Sequence, residues 1–165
     1  MKETDSNHKV AIGCDEAGFE MKETLKKHLE TRGFEVVDYR TSSDPVDYPD
    51  IASAVAKDIA SHKADRGVLI CGTGIGMAIA ANKVPGISAA QAHDTYSAER
   101  ARKSNNAQIV TMGARVIGPE LAKQIVDSFL SSEFQEGNSR RKVDKITALE
   151  QSYVSETKQR PEGVE

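Results

Sequence analysis

Apolar residues recur along this chain in two periods that take turns. Short β-branched runs at residues 9–13 (KVAIG), 35–39 (EVVDY), 67–71 (GVLIC), 87–92 and 107–112 (AQIVTM) read as strands. Between them the spacing widens to the helical period. Residues 19–32 predict an amphipathic helix with Phe19, Leu25 and Leu29 inward and Gly33 as its stop. Further helices are expected over about 50–61, 77–83 and 95–104, and over 119–131 with a proline at its start. Residues 41–49 read as a polar turn region. Five strand–helix alternations imply an α/β fold, a Rossmann-like three-layer α/β/α sandwich on a five-stranded parallel sheet. The run 67–71 is the most apolar, which places it centrally. Beyond a polar loop, residues 140–153 keep helical spacing through Val143, Ile146 and Leu149, an extra C-terminal helix that packs on a neighbour or closes its own subunit. The reading gives one domain over 9–156, with a disordered extension at 1–8 and a disordered tail at 157–165 that carries Pro161 and Gly163.

Composition narrows the function classes. The chain has 165 residues, of which 38% are hydrophobic and 28% charged, which suits a single core under a solvated surface. Lys plus Arg is 22 and Asp plus Glu is 25, a net charge of −3 that argues against a nucleic-acid partner. No apolar run approaches the roughly 18 residues of a membrane span. The first nine residues lack the apolar segment of a signal peptide, so a cytoplasmic protein with no membrane partner is expected. The two cysteines, Cys14 and Cys71, form no C-x-x-C pair, and His8, His28, His62 and His93 are too scattered for a local metal-ligand pair.

Chemistry should collect beyond the carboxyl ends of parallel strands. There stand Cys14-Asp15-Glu16-Ala17-Gly18, Cys71-Gly72-Thr73-Gly74-Ile75-Gly76, His93-Asp94 and Gly113-Ala114-Arg115. The glycine run is not a dinucleotide fingerprint, because the third glycine of G-x-G-x-x-G would fall at Met77 and the run follows the third strand. No Gly-Lys-Ser/Thr follows, so it is not a nucleotide phosphate loop. What remains is a strand-to-helix turn whose bare amides can face an anion, or a tight turn needed for backbone geometry alone. A thiol just before such a turn is placed to ionise and to take a proton alpha to a carbonyl. Cys71 has that place, unless it is simply a buried strand residue; Cys14 lacks such a turn and reads as structural.

These segments resemble the ribose-5-phosphate isomerase B family, which includes the galactose-6-phosphate isomerase subunits. The resemblance covers about residues 9–153 and is carried by GCDEAGF, DYP, LICGTGIG, AANK and GARV at 13–19, 47–49, 69–76, 80–83 and 113–116. It implies carbohydrate metabolism, with the pentose phosphate pathway as its setting, and aldose–ketose isomerisation without metal or organic cofactor. It also implies a homodimer or dimer of dimers with active sites shared at the interface. In the roles it implies, Cys71 shuttles the proton between C1 and C2, and Thr73 helps move the proton between the two oxygens. The amides of Gly72, Gly74, Ile75 and Gly76 stabilise the enediolate, while Asp15, Asp47 and Tyr48 bind sugar hydroxyls. Asn105 and Arg115 are expected to reach across the interface, Asn105 to the reacting end and Arg115 to the phosphate.

Three positions depart from the family's pattern. Asp15-Glu16 stands for Asp-His, Ser104-Asn105 for a His-Asn pair whose histidine assists ring opening, and residues 137–142 (GNSRRK) for a Gly-Arg-His-x-x-Arg phosphate grip. Arg140 and Arg141 keep the cationic charge but not the spacing. His93 is either a relocated ring-opening histidine or, in the preferred reading, a helix-start residue beside Asp94. Glu16 binds a substrate hydroxyl only if the phosphate lies elsewhere or its carboxylate turns away. The leading substrate pair is ribose 5-phosphate and ribulose 5-phosphate. Alternatives are a tetrulose phosphate such as erythrulose 4-phosphate, a hexose 6-phosphate such as galactose or allose 6-phosphate, or a non-catalytic sugar-phosphate-binding partner subunit.

Overall fold

The structure, a computed structural model, describes residues 8–40 and 42–159. Five parallel strands, β1 (Lys9–Cys14), β2 (Glu35–Asp38), β3 (Arg66–Cys71), β4 (Ala89–Gln91) and β5 (Ile109–Gly113), stand in the order β2-β1-β3-β5-β4. The helices are α1 (Phe19–Thr31), α2 (Tyr48–Ala60), α3 (Ile75–Ala81), α4 (Thr95–Lys103), α5 (Pro119–Leu130) and α6 (Asn138–Gln159). Chain order reverses direction across the sheet between β1 and β3, which is where a crevice for a ligand opens in such folds.

The period of two along the central strand sorts its side chains between two layers. Val68 and Ile70 join Val10, Ile12, Leu25, Leu29, Ile125 and Phe129 in the core under α1, α4 and α5. Leu69 and Cys71 join Ala11, Val55, Ile59, Met77 and Ile109 in the core under α2 and α3. Strand β3 is buried along nearly its whole length, as its apolar run and central place require.

Several boundaries differ from the sequence reading for local reasons. Helix α2 starts two residues early, at Tyr48, because Pro49 fits a first helical turn that needs no N–H from it. Helix α3 starts at Ile75 because Gly74 takes a left-handed φ of +78° and swings the chain straight into the helix. Strand β4 shrinks to three residues, and the Asn82 side chain at the end of α3 brackets its first residue, Ala89, with bonds to both its N–H and its carbonyl. Helix α6 runs on to Gln159, through residues 157–159 that were expected to begin a disordered tail. His8 stands within 3.8 Å of Asp65 and 3.7 Å of Glu133. Residues 1–7 and 160–165 lie outside the described residues.

The chain divides into two compact units, the sheet with its helices through Phe134 and a second from Gln135 onward that contains α6. Within the first, a fully buried Lys22 on α1 bonds Glu23, the carbonyl of Arg40 and, at 2.9 Å, the Asp38 carboxylate that ends β2. Burial works against both charges, but these bonds outweigh it, raising the Lys22 pKa and lowering that of Asp38. Among the described residues, no helix is long and apolar enough to cross a membrane.

Candidate active site

The turn after β3 carries the densest chemistry of the sheet's carboxyl edge. Cys71 is buried, 5% exposed, and its Sγ accepts a hydrogen bond from the Gly74 N–H at 3.2 Å. Two residues on, the exposed Thr73 hydroxyl oxygen accepts from the Ile75 N–H at 3.3 Å, which leaves its own hydrogen to donate. Glycine is required at 74 twice over. Its φ is left-handed, and a Cβ would stand 2.7 Å from the Met112 backbone. Gly113 allows the same close approach from the other side, where a Cβ would lie 2.6 Å from the Thr73 Cα. Strand β5 then clasps the turn through the Ala114 N–H on Cys71 O and the Arg115 N–H on Gly72 O.

Other expected residues gather round this turn. The Arg115 guanidinium lies over Gly72, 3.3 Å from the point a Cβ would occupy, so it reaches the turn of its own chain. The Tyr48 ring packs over Gly76 from the start of α2, beside Asp47. Asp15 ends β1 next to β3, its N–H bonded to Ile70 O and its carboxylate capping the Gly18 N–H. Glu16 turns to the α2 loop. Its own N–H and that of Val46 hold its carboxyl below the usual carboxylate range, helped by the charges of Arg40 and Arg115. His93 accepts the Gly113 N–H on Nε2 at 2.9 Å, which places its proton on Nδ1. Asp94, not His93, caps α4 through the Ser97 N–H.

Not everything converges. Asn105 lies in the connection from α4 to β5, at the amino edge of the sheet, and β5 spans roughly 16 Å before reaching the turn. Ser104 beside it accepts a hydrogen bond from the Arg100 Nε at 2.8 Å. Arg140 and Arg141 stand on α6 in the second unit, Arg140 paired with Glu136. Cys14 is wholly buried and its thiol is pushed up to about 12 by that burial, the behaviour of a structural cysteine. Among the described residues no group of three or more His, Cys, Asp or Glu could hold a metal.

Three residues at this edge escaped the sequence reading. Gln91, which ends β4, donates to Thr73 O at 2.8 Å, and the buried Thr111 hydroxyl of β5 donates to Gly74 O at 2.8 Å. Both are polar residues inside strand runs, a signal that could have flagged them. Arg40 is 8% exposed past the end of β2; its Nε donates to Ser42 O, while Nη2 finds no partner among the described residues.

A buried thiol under an amide, a hydroxyl free to donate and a nearby guanidinium stand together at the switch point of a doubly wound sheet, an arrangement suited to moving a proton beside an anionic group. Comparison with known proteins agrees. The Ribose/Galactose Isomerase family matches residues 10–146. The chain is 54% identical over 144 residues to the ribose-5-P isomerase B of Listeria innocua, covering 87% of this chain and 97% of that one. It is 55% identical over 140 residues to the D-erythrulose-4-phosphate isomerase of Pectobacterium atrosepticum, covering 83% and 91%. The solved structure of Clostridium thermocellum ribose-5-phosphate isomerase B superposes with a TM-score of 0.86 at 44% identity, over 88% of this chain and 99% of that one. The chain belongs to the ribose/galactose isomerase family.

Proposed function

We propose that this isomerase interconverts ribose 5-phosphate and ribulose 5-phosphate through a cis-enediolate, with Cys71 as the base. The observation that carries the reading is the pair of atoms on one turn, a sulfur and a hydroxyl each accepting from a turn amide. The Cys71 thiolate takes the hydrogen from C2 of the open-chain aldose as a proton, and the C–H electron pair becomes the C1–C2 double bond. Thr73 passes a proton between O2 and O1 while the amides of the 72–76 turn not engaged by Cys71 and Thr73 hold the negative oxygen. Return of the proton from sulfur to C1 gives the ketose. No electron leaves the substrate, so the atoms balance with no further reactant. In this reading Arg115, over Gly72, takes an anionic group, and Tyr48, over Gly76, takes hydroxyls together with Asp15 and Asp47.

Asn105 serves this site from a second copy of the chain. The support is its position at the far edge of its own sheet, together with the apolar Ile75 and Ile79, one helical turn apart on α3 and 51% and 58% exposed beside the site. A homodimer or dimer of dimers with shared sites satisfies both. Residues 9–156 act as the isomerase domain of that assembly.

A second reading is favoured by Ser104. A tetrose 4-phosphate cannot close a five-membered ring, because its C4 oxygen carries the phosphate, so its enzyme needs no ring-opening histidine. Ser104 stands where that histidine is expected, the Nε2 of His93 is already engaged by Gly113, and a relative of near-equal identity is an erythrulose-4-phosphate isomerase. Steady-state rates on both sugars decide. Higher kcat/KM for ribose 5-phosphate supports the first reading. Higher kcat/KM for erythrulose 4-phosphate, with little change in Ser104→His, establishes the second.

A further inference from the structure

The turn between β3 and α3 presents two peptide units in succession, and each is held from both sides. A peptide unit is planar and trans, so its C=O and N–H point in opposite directions and move as one body. In the Thr73–Gly74 unit, the carbonyl accepts from the Gln91 side-chain amide at 2.8 Å while the N–H donates to Cys71 Sγ at 3.2 Å. In the next unit, Gly74–Ile75, the carbonyl accepts from the Thr111 hydroxyl at 2.8 Å and from the Ala78 N–H of α3 at 3.2 Å, while the N–H donates to Thr73 Oγ1 at 3.3 Å. Gln91 therefore fixes the plane of the first unit, and Thr111 joins the first backbone bond of α3 in fixing the second, each setting the direction of one donor.

We propose that Gln91 and Thr111 are positioning residues of the isomerisation, Gln91 aiming a donor at the Cys71 sulfur and Thr111 aiming one at the Thr73 hydroxyl. The proposal rests on the roles given above to Cys71 and Thr73. Neither side chain touches the sulfur or the Thr73 hydroxyl; each acts through a peptide. Chains of hydrogen bonds also polarise one another, so a donor on the carbonyl strengthens the N–H at the other end of the unit. Their places in the fold make them independent. Gln91 comes from the end of β4 and is exposed, whereas Thr111 lies buried in the middle of β5. Because strand residues alternate faces, β4 and β5 each deliver one polar side chain to the turn without disturbing the apolar positions that pack the sheet.

The two halves make different predictions, which a thiol probe separates. The rate of Cys71 alkylation by iodoacetamide is followed against pH in the wild type, Gln91→Leu and Thr111→Val, alongside kcat, KM and thermal unfolding. Cys14 stays silent because it is wholly enclosed and burial pushes its thiol up to about 12, whereas Cys71 keeps 5% exposure. Gln91→Leu should slow alkylation up to about fivefold at neutral pH and displace its profile to higher pH, the size of one net hydrogen bond lost if the released peptide turns its N–H away from the sulfur. Its kcat should fall by a similar factor with KM nearly unchanged. Thr111→Val should lower kcat about fivefold and leave the alkylation profile in place, while Thr111→Ser, which keeps the hydroxyl, should restore the rate. The ionisable groups facing the turn from other elements, Asp15 and Glu16 after β1, Tyr48 on α2, His93 after β4 and Arg115 after β5, are the same in every variant. A Gln91→Leu profile superimposable on the wild type overturns the Gln91 assignment. Equal loss of kcat in Thr111→Ser and Thr111→Val overturns that of Thr111. Failure of the base reading shows elsewhere: Cys71→Ala would keep its turnover while the alkylation result stood unchanged.

Discussion

The Tyr48 ring rests on Gly76, so closely that a Cβ at that glycine would stand 2.5 Å from two ring atoms. Through this contact the start of α2 is set against the turn after β3, and the absence of a side chain at 76 decides where the Tyr48 hydroxyl stands.

Gly76→Ala should therefore act on substrate binding rather than on folding. Alanine suits a helix better than glycine, and the ring, 41% exposed, can swing aside. We expect stability within about 1 kcal/mol of wild type and a raised KM. Tyr48→Ala should raise KM similarly, and the double variant should be no worse than either single one. Additive losses in KM would show that the two residues act separately.

Cys71→Ala should lose at least ~10² in kcat, the usual size of a general-base contribution. Iodoacetamide should inactivate the wild type with one label per chain, and a sugar phosphate should protect. Mass spectrometry of the labelled protein should find the adduct on Cys71 and none on Cys14, whose buried thiol titrates only at about 12.

Mixing two inactive variants tests the shared site. Asn105 lies a strand's length from the Cys71 of its own chain. Cys71→Ala and Asn105→Ala, refolded together, should regain part of the activity, because a mixed dimer builds one site with both defects and one with neither. Cys71→Ala mixed with Arg115→Ala would recover activity only if those two residues met from opposite chains. Since Arg115 sits on the turn of its own chain, that mixture should stay inactive. Isolated heterodimers, assayed directly, distinguish the two patterns.

Lys22 and Asp38 give the fold a defined pH response. Asp38 has its pKa lowered below 3.8, so its contribution is present above that value and is lost as pH falls through the folded one. Lys22 has its pKa raised above 10.5, so its contribution is present below that value and is lost as pH rises through the folded one. Stability should thus be level through neutrality and fall at both ends. Asp38→Asn leaves a buried ammonium short of its partner and should cost about 3 kcal/mol at neutral pH, read as a lower urea midpoint. The same variant should show a shallower fall in acid.

Periodicity alone determined the sheet, because burying a strand on both faces demands a continuous apolar run, and residues 67–71 supply the strongest one. The turn was legible for a related reason. Glycines at 72, 74 and 76 directly after that strand leave the backbone open to close approach, and Gly74 and Gly113 prove to need it. Motif likeness singled out Cys71, Thr73 and Tyr48 as site residues, yet not the bonds that orient them. Only the tertiary structure decided which strand lies beside which, and with it which distant residues meet the turn. Strand β5 passes between β3 and β4 although β4 precedes it in sequence, and that crossing brings Thr111, Gly113 and Arg115 onto a loop some forty residues earlier. Gln91 reaches the same loop from the outer strand. No local period encodes such a meeting, because a side chain's partner across a parallel sheet depends on strand order and register, which are set by how the whole core packs.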